Sequence, residues 1–331
     1  MSVLIINQAE VHQLLLMEEC IELMHMAFRA LAQETAIAPL RPIMKLPDKR
    51  GVVAMMPGYS SGPEALAVKI IAVYPGNLGT AYDSHQGAVL LFDVDDGRLL
   101  SLIDASEVTA IRTAAASAVA TELLAHQTAE ELAILGSGVQ ARTHLEAMLK
   151  VRNIKRVRIW SRTAERAHAF AEREQERFNV EFEVVSEAKQ AVLQASLICT
   201  TTAAREPVLL GEWLSSGTHV NAVGSASPVM RELDTAAIRN ARLFVDSRES
   251  AKNEAGDFLI PLQEGAITDD HIVAEIGEIL EGSAPGRTHD DETTVFKSLG
   301  VGIQDVLAAD HIYAKAKDLG MGTEVDLGGL R

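Results

Sequence analysis

Apolar residues are distributed differently in the two halves of this chain. In the first half, runs at 51–56, 65–73 and 88–93 read as strands. The third is joined to a run at 99–103 across Asp95-Asp96-Gly97-Arg98, the composition of a hairpin turn, so pairing here is expected to be antiparallel. The second half alternates instead. Strands at 131–135, 156–160, 181–185 and 197–201 are separated by helical stretches starting near Gly138, Ala164 and Ala188, and runs at 219–223, 243–246 and 295–299 add further strands. Such alternation builds a doubly wound parallel sheet of the Rossmann kind, with ligands at the carboxyl ends of its strands. The expected class is α/β, with a separate part that carries antiparallel strands.

Helix signals surround these runs. Asn7 and Glu10 have capping-box spacing, and a helix over 17–33 puts Ile21, Met24, Phe28 and Leu31 on one face. Pro39 and Pro42 bracket Arg41 and force an extended path. Asp104 and Glu107 repeat the capping-box spacing before an alanine-rich helix over 106–125, and a last helix over 303–319 is expected to return to the first domain. Domains are expected at 1–125 and 126–300, with 301–331 rejoining the first.

Composition narrows the function classes. A chain of 331 residues exceeds the size at which a single core keeps growing. Its net charge of −16 argues against nucleic acid as a partner, because a phosphate backbone needs concentrated Lys and Arg. Cys20 and Cys199 fit no metal-ligand spacing and suit a reducing cytoplasm as buried apolar residues. No apolar run approaches the roughly eighteen residues of a membrane span, and no signal peptide is expected.

The stretch that organises the rest is Glu131-Leu-Ala-Ile-Leu-Gly136-Ser137-Gly138-Val139-Gln140-Ala141, a strand, a glycine turn and the start of a helix. In this G-x-G-x-x-A pattern Gly136 permits the tight turn, Gly138 lets backbone N–H groups approach a pyrophosphate, and Ala141 lets the helix sit close to the sheet. The helix N-terminus then offers partial positive charge to phosphates. A dinucleotide site is the expectation, an ordinary strand-to-helix turn the alternative. The next strand ends in Trp160-Ser161-Arg162-Thr163, with no acid for a ribose 2′-hydroxyl. A guanidinium between two hydroxyls suits a 2′-phosphate, which favours NADP(H) over NAD(H).

No hydrolase or metalloprotease motif is present, and no metal set is expected. Basic residues in apolar settings carry the remaining signal. Lys69 lies within a strand where alternation places it with Ala65, Ala67 and Ile71; it either snorkels to solvent or is buried for acid/base work. Arg112, in the alanine-rich helix, either clamps a carboxylate or phosphate or makes a structural ion pair. Arg41 is a weaker candidate, and His85 by default belongs to a loop.

Several stretches together resemble the ornithine cyclodeaminase/mu-crystallin family: Leu40-Arg-Pro, Ala67-Val-Lys69, Ser84-His-Gln, Ile111-Arg-Thr-Ala-Ala, Gly136-Ser-Gly-Val-Gln, Asn221-Ala-Val-Gly, Arg231-Glu-Leu-Asp, Val245-Asp-Ser-Arg-Glu, Glu254-Ala-Gly-Asp and Val295-Phe-Lys-Ser-Leu-Gly. The resemblance implies a Rossmann dinucleotide domain paired with a split α+β substrate and dimerisation domain, and a homodimer. It implies that Arg41, Lys69 and Arg112 face the substrate. Ser84, His85, Thr113, Gly138, Val139, Gln140, Ser161, Arg162, Thr163, Thr202, Val223 and Ser298 would then lie along the cofactor.

Two departures bear on the activity. Cyclodeaminases of this family place an Asp in the loop after the Ala-Val-Gly strand, where this chain has Gly224-Ser-Ala-Ser-Pro228, and a Glu before Met-Pro, where it has Ala54. A diamine would lack both carboxylates, so a small imino, amino or oxo acid is the expected substrate of an oxidoreductase acting at a C–N bond. Cyclodeamination of ornithine or lysine with internally recycled NAD is the alternative in the same pocket, and a non-catalytic, cofactor-bound binding protein is the alternative outside catalysis.

Overall fold

The computed structural model describes residues 2–77 and 79–329. The chain opens with β1 (Ser2–Ile6), α1 (Gln8–Leu14) and α2 (Met17–Ala32), then runs through β2 (Ala36–Ile37), β3 (Ile43–Lys45), β4 (Val52–Ser61), β5 (Glu64–Val73), β6 (His85–Phe92) and β7 (Leu99–Asp104). Helix α3 (Ala105–Leu124) leads into β8 (Glu131–Leu135), α4 (Val139–Val151), β9 (Arg156–Trp160), α5 (Ala164–Gln175), β10 (Glu181–Val184), α6 (Ala188–Val192) and β11 (Leu197–Thr200). There follow β12 (His219–Ala222), α7 (Thr235–Arg239), β13 (Arg242–Val245), α8 (Arg248–Glu254), α9 (Gly256–Gln263), β14 (Ile272–Glu275), α10 (Ile276–Leu280), β15 (Thr294–Lys297), α11 (Gly302–Leu319) and β16 (Thr323–Asp326). Two compact units result: residues up to Arg112 with those from Gly300 onward, and Thr113–Leu299.

The first unit is built on a sheet in the order β16-β1-β7-β6-β5-β4-β2, with β3 also paired to β4. Its hairpins are antiparallel, and Gly97 takes the left-handed turn conformation, φ 73°, between β6 and β7. One pair departs from the expected pattern: β1 and β7 are parallel, joined by a long crossover rather than a tight turn. Along β5 every second side chain is buried, Ala65, Ala67, Lys69 and Ile71, on the face that packs against α11. Asn7 and Glu10 form the expected reciprocal cap on α1.

In the second unit all strands are parallel, in the order β10-β9-β8-β11-β12-β15-β13-β14. Strands covered on both faces lose the alternation seen in the first sheet: all four residues of β11, β12 and β15 are buried. The order reverses between β8 and β11, which defines the switch point. Helix α3 is nearly all buried, which explains its run of alanines: close packing on every side leaves no room for larger groups. Arg152, just past α4, donates to the carbonyls of Thr121, Glu122, Ala125 and His126, so a side chain closes the end of α3. Among the described residues no helix is long and apolar enough to cross a membrane.

Candidate active site

Within the first unit, three elements bring their charged groups together. Lys69 on β5 does not snorkel: it is 1% exposed, and Nζ lies 2.9 Å from both Oδ1 and Oδ2 of Asp305 on α11. Nζ also donates to Thr109 Oγ1 on α3 at 3.3 Å. Arg112, one turn further along α3 and 3% exposed, donates from Nε to Asp305 Oδ1 at 3.1 Å and from Nη1 to Gln304 Oε1 at 3.0 Å. Arg41, partly buried, donates from Nη2 to the Gly300 carbonyl at 3.3 Å. Burial, then the Arg112 charge, lowers the Lys69 amine to about 7, with Asp305 opposing both. The same two cations hold the Asp305 carboxyl below its ordinary range despite its desolvation.

The cluster sets Lys69 and Arg112 around one carboxylate, with the Arg41 charge acting on the same amine. Such a site offers guanidinium donors suited to a small organic anion and an amine poised to exchange a proton near neutral pH. His85 lies at the start of β6, next to Ser84, whose Oγ is 3.0 Å from its Nδ1; the His85 carbonyl accepts from Ser106 Oγ at 2.7 Å.

In the second unit the remaining candidates, apart from Thr113 on α3, lie just beyond the carboxyl ends of parallel strands. Gly136 follows β8, Ser161 β9, Thr202 β11, Val223 β12 and Ser298 β15. Gly136 has φ 131°, and a Cβ there would lie 2.5 Å from Thr201 Oγ1, so the turn requires glycine twice over. Gly138 caps α4 with open space where a Cβ would point, as a backbone approached by a phosphate needs. Val139 is half exposed at the helix start, and Ser137 Oγ donates to Ser161 Oγ at 3.0 Å. Arg162 is exposed, with Thr163 next to it capping α5. Gln140 Oε1 and Ser298 Oγ are buried and lack hydrogen-bond partners. An unsatisfied amide oxygen in the first turn of α4, just after the open Gly138, and an unsatisfied hydroxyl at the end of β15 fit a bound dinucleotide.

Sequence reasoning missed several residues that build these sites. Asp305 and Gln304 stand in the apolar run that opens α11, the signal that singled out Lys69. Glu232, fully buried, accepts from Thr202 N and Gly224 N, both at 2.6 Å, from Thr202 Oγ1 at 2.7 Å and from Thr200 Oγ1 at 2.8 Å. It thereby ties the ends of β11 and β12 together. Asp257 in turn accepts from Glu232 N and Leu233 N and pairs with Lys297 at 3.0 Å.

A sequence model described as the ornithine cyclodeaminase/mu-crystallin family matches residues 1–320. The chain is 39% identical over 324 residues to Delta(1)-pyrroline-2-carboxylate reductase of Bacillus cereus, covering 98% of this chain and 99% of that protein. It is 44% identical over 275 residues to the ketimine reductase mu-crystallin of Mus musculus, covering 83% and 84%. Among solved structures, the Thermococcus litoralis Delta(1)-pyrroline-2-carboxylate reductase in complex with NADH and L-proline superimposes with a TM-score of 0.96 at 39% identity, covering 98% of this chain and all of that one.

Proposed function

From the premise that this chain belongs to the ornithine cyclodeaminase/mu-crystallin family, we propose that it is a nicotinamide-dependent reductase of the C=N bond in small α-imino acids, cyclic five- and six-membered ketimine carboxylates above all. One observation carries the reading: a buried lysine, Lys69, with a pKa lowered to about 7, held beside Arg112 and Asp305. Arg41 and Arg112 hold the substrate carboxylate and fix its orientation. Lys69 hydrogen-bonds the imine nitrogen and delivers its proton there, because a protonated imine is the better hydride acceptor. The reduced nicotinamide supplies the hydride that completes the amino acid.

The dinucleotide is held by Gly136, Ser137, Gly138, Val139 and Gln140, with Ser161, Arg162 and Thr163 around the adenosine ribose. Thr113, Thr202, Val223 and Ser298 complete its path, and Ser84 and His85 belong to the nicotinamide end. NADPH is preferred, because Arg162 stands where an acid would select NADH. The protein works in the cytoplasm, which suits two buried unpaired cysteines, and as a homodimer. The sheet face of the first unit opposite Lys69 supports that assembly: Met55, Ile70 and Leu102 are exposed there beside half-buried Val68 and Leu90, an apolar surface that a second copy would cover.

The test is Lys69→Ala in single-turnover reduction of piperideine-2-carboxylate and pyrroline-2-carboxylate. A fall in hydride-transfer rate of about 10²- to 10⁴-fold, with NADPH affinity kept, supports the reading; hydride transfer at the wild-type rate refutes it.

A further inference from the structure

We propose that Asp305 is a positioning residue for imine reduction: the counter-ion that keeps Lys69 protonated and holds its ammonium and the Arg112 guanidinium in fixed relation. The inference rests on the reading of Lys69 as the proton donor and adds the group that makes that role possible. Asp305 sits in the first turn of α11, its carboxylate 1% exposed. Oδ1 accepts from both Lys69 Nζ and Arg112 Nε, so one oxygen sets the spacing of the two cations. Oδ2 lies 2.9 Å from the same Nζ outside hydrogen-bonding geometry and holds it by charge.

The surroundings of Lys69 otherwise favour the neutral amine. Arg112 faces it from α3 and Arg41 from the segment before β3, and both repel an ammonium. His85 on β6 adds positive charge when protonated, and Thr109 is neutral. On α2 the buried Cys20 thiol, pushed up beyond neutral pH by desolvation, brings no anion. Asp305 is therefore the acid that opposes both burial and two guanidinium groups. Both cations that the carboxylate pairs with, Lys69 and Arg112, are held in place by that single group. An exposed salt bridge would do neither task, since water would screen the charge and leave the geometry loose.

Three variants test the role through the pH profile of kcat/KM for imine reduction. Asp305→Asn keeps the shape and removes the charge. The limb on which activity falls with rising pH is expected to move toward acid by about one unit or more, with activity recovering at low pH. Asp305→Glu restores the charge and is expected to return the limb toward its original position, with NADPH affinity unchanged in both variants. A limb that stays in place in Asp305→Asn overturns the proposal. So does an equal loss at every pH that Glu does not repair, the signature of a purely structural residue. Lys69→Ala separates this from the underlying reading. If the limb persists without the lysine, another group is the acid and both claims fall; if it disappears there but is unmoved in Asp305→Asn, only the counter-ion role falls. Should Asp305→Asn not fold, Asp305→Ser, which admits water into the vacated space, is read by the same criteria.

Discussion

The guanidinium of Arg112 occupies the space that a side chain on Gly300 would need: a Cβ built there lies 2.5 Å from Nη1 and 2.9 Å from Nη2. Gly300 also has φ 79°, and its carbonyl accepts from Arg41. One residue without a side chain thus sets the position of two arginines. Gly300→Ala is expected to combine a left-handed strain of about 1–2 kcal/mol with displacement of Arg112. Substrate KM should rise by about tenfold or more, while the Kd of the binary NADPH complex stays close to wild type. An unchanged KM would show that Arg112 does not hold the carboxylate.

With Lys69 as the proposed proton donor, its lowered amine is expected to give opposite pH dependences to the two reaction directions. Imine reduction needs the protonated amine, so kcat/KM should be full below about 7 and fall as pH rises through it; amino-acid oxidation needs the neutral amine and should rise across the same window. Initial-rate profiles in both directions check this. Parallel profiles would remove Lys69 from the proton-transfer step.

Arg162 is exposed after β9 and is proposed to meet the 2′-phosphate. Because water screens such a contact, Arg162→Ala is expected to weaken NADPH by only about tenfold and NADH hardly at all. Fluorescence titration of both cofactors decides the matter. Equal losses for the two would assign Arg162 to a general phosphate contact.

His144 on α4 is completely buried, with Nδ1 2.7 Å from the Gln140 carbonyl and Nε2 2.9 Å from Ser117 Oγ on α3. Burial lowers its pKa from 6.5 to about 4. The unfolded chain therefore takes up a proton that the folded one refuses: stability is full above about 6.5 and is lost as pH falls toward 4, by roughly 3 kcal/mol for this group alone. In His144→Gln the pH slope of the unfolding free energy between those values should drop by about one proton. Urea melts across that range measure it, and an unchanged slope would assign the acid sensitivity elsewhere.

The glycine turn, the alternation of strands and helices, the hairpin at Gly97 and the reciprocal cap of α1 were legible in the chain because each is set by neighbours a few residues away. Lys69 and Arg112 were legible as anomalies, charges in apolar runs. Their partner was not. Asp305 lies 236 positions from Lys69, and its own apolar run reads equally well as an ordinary helix that begins with a favourable acidic residue. β1 and β16 were also missed: they are short, stand next to each other at one edge, and are defined by pairing partners rather than by their own composition.

Local pattern thus sufficed for the α/β class, the parallel sheet and the glycine turn between β8 and α4, since periodicity and glycine conformation are properties of contiguous residues. Which carboxylate faces which cation, whether Lys69 is wet or buried, and how Gly300 makes room for Arg112 were decided by the packing of α3 and α11 against the first sheet. Desolvation and ion pairing depend on what surrounds an atom in space, and for Lys69 those surroundings come from distant parts of the chain.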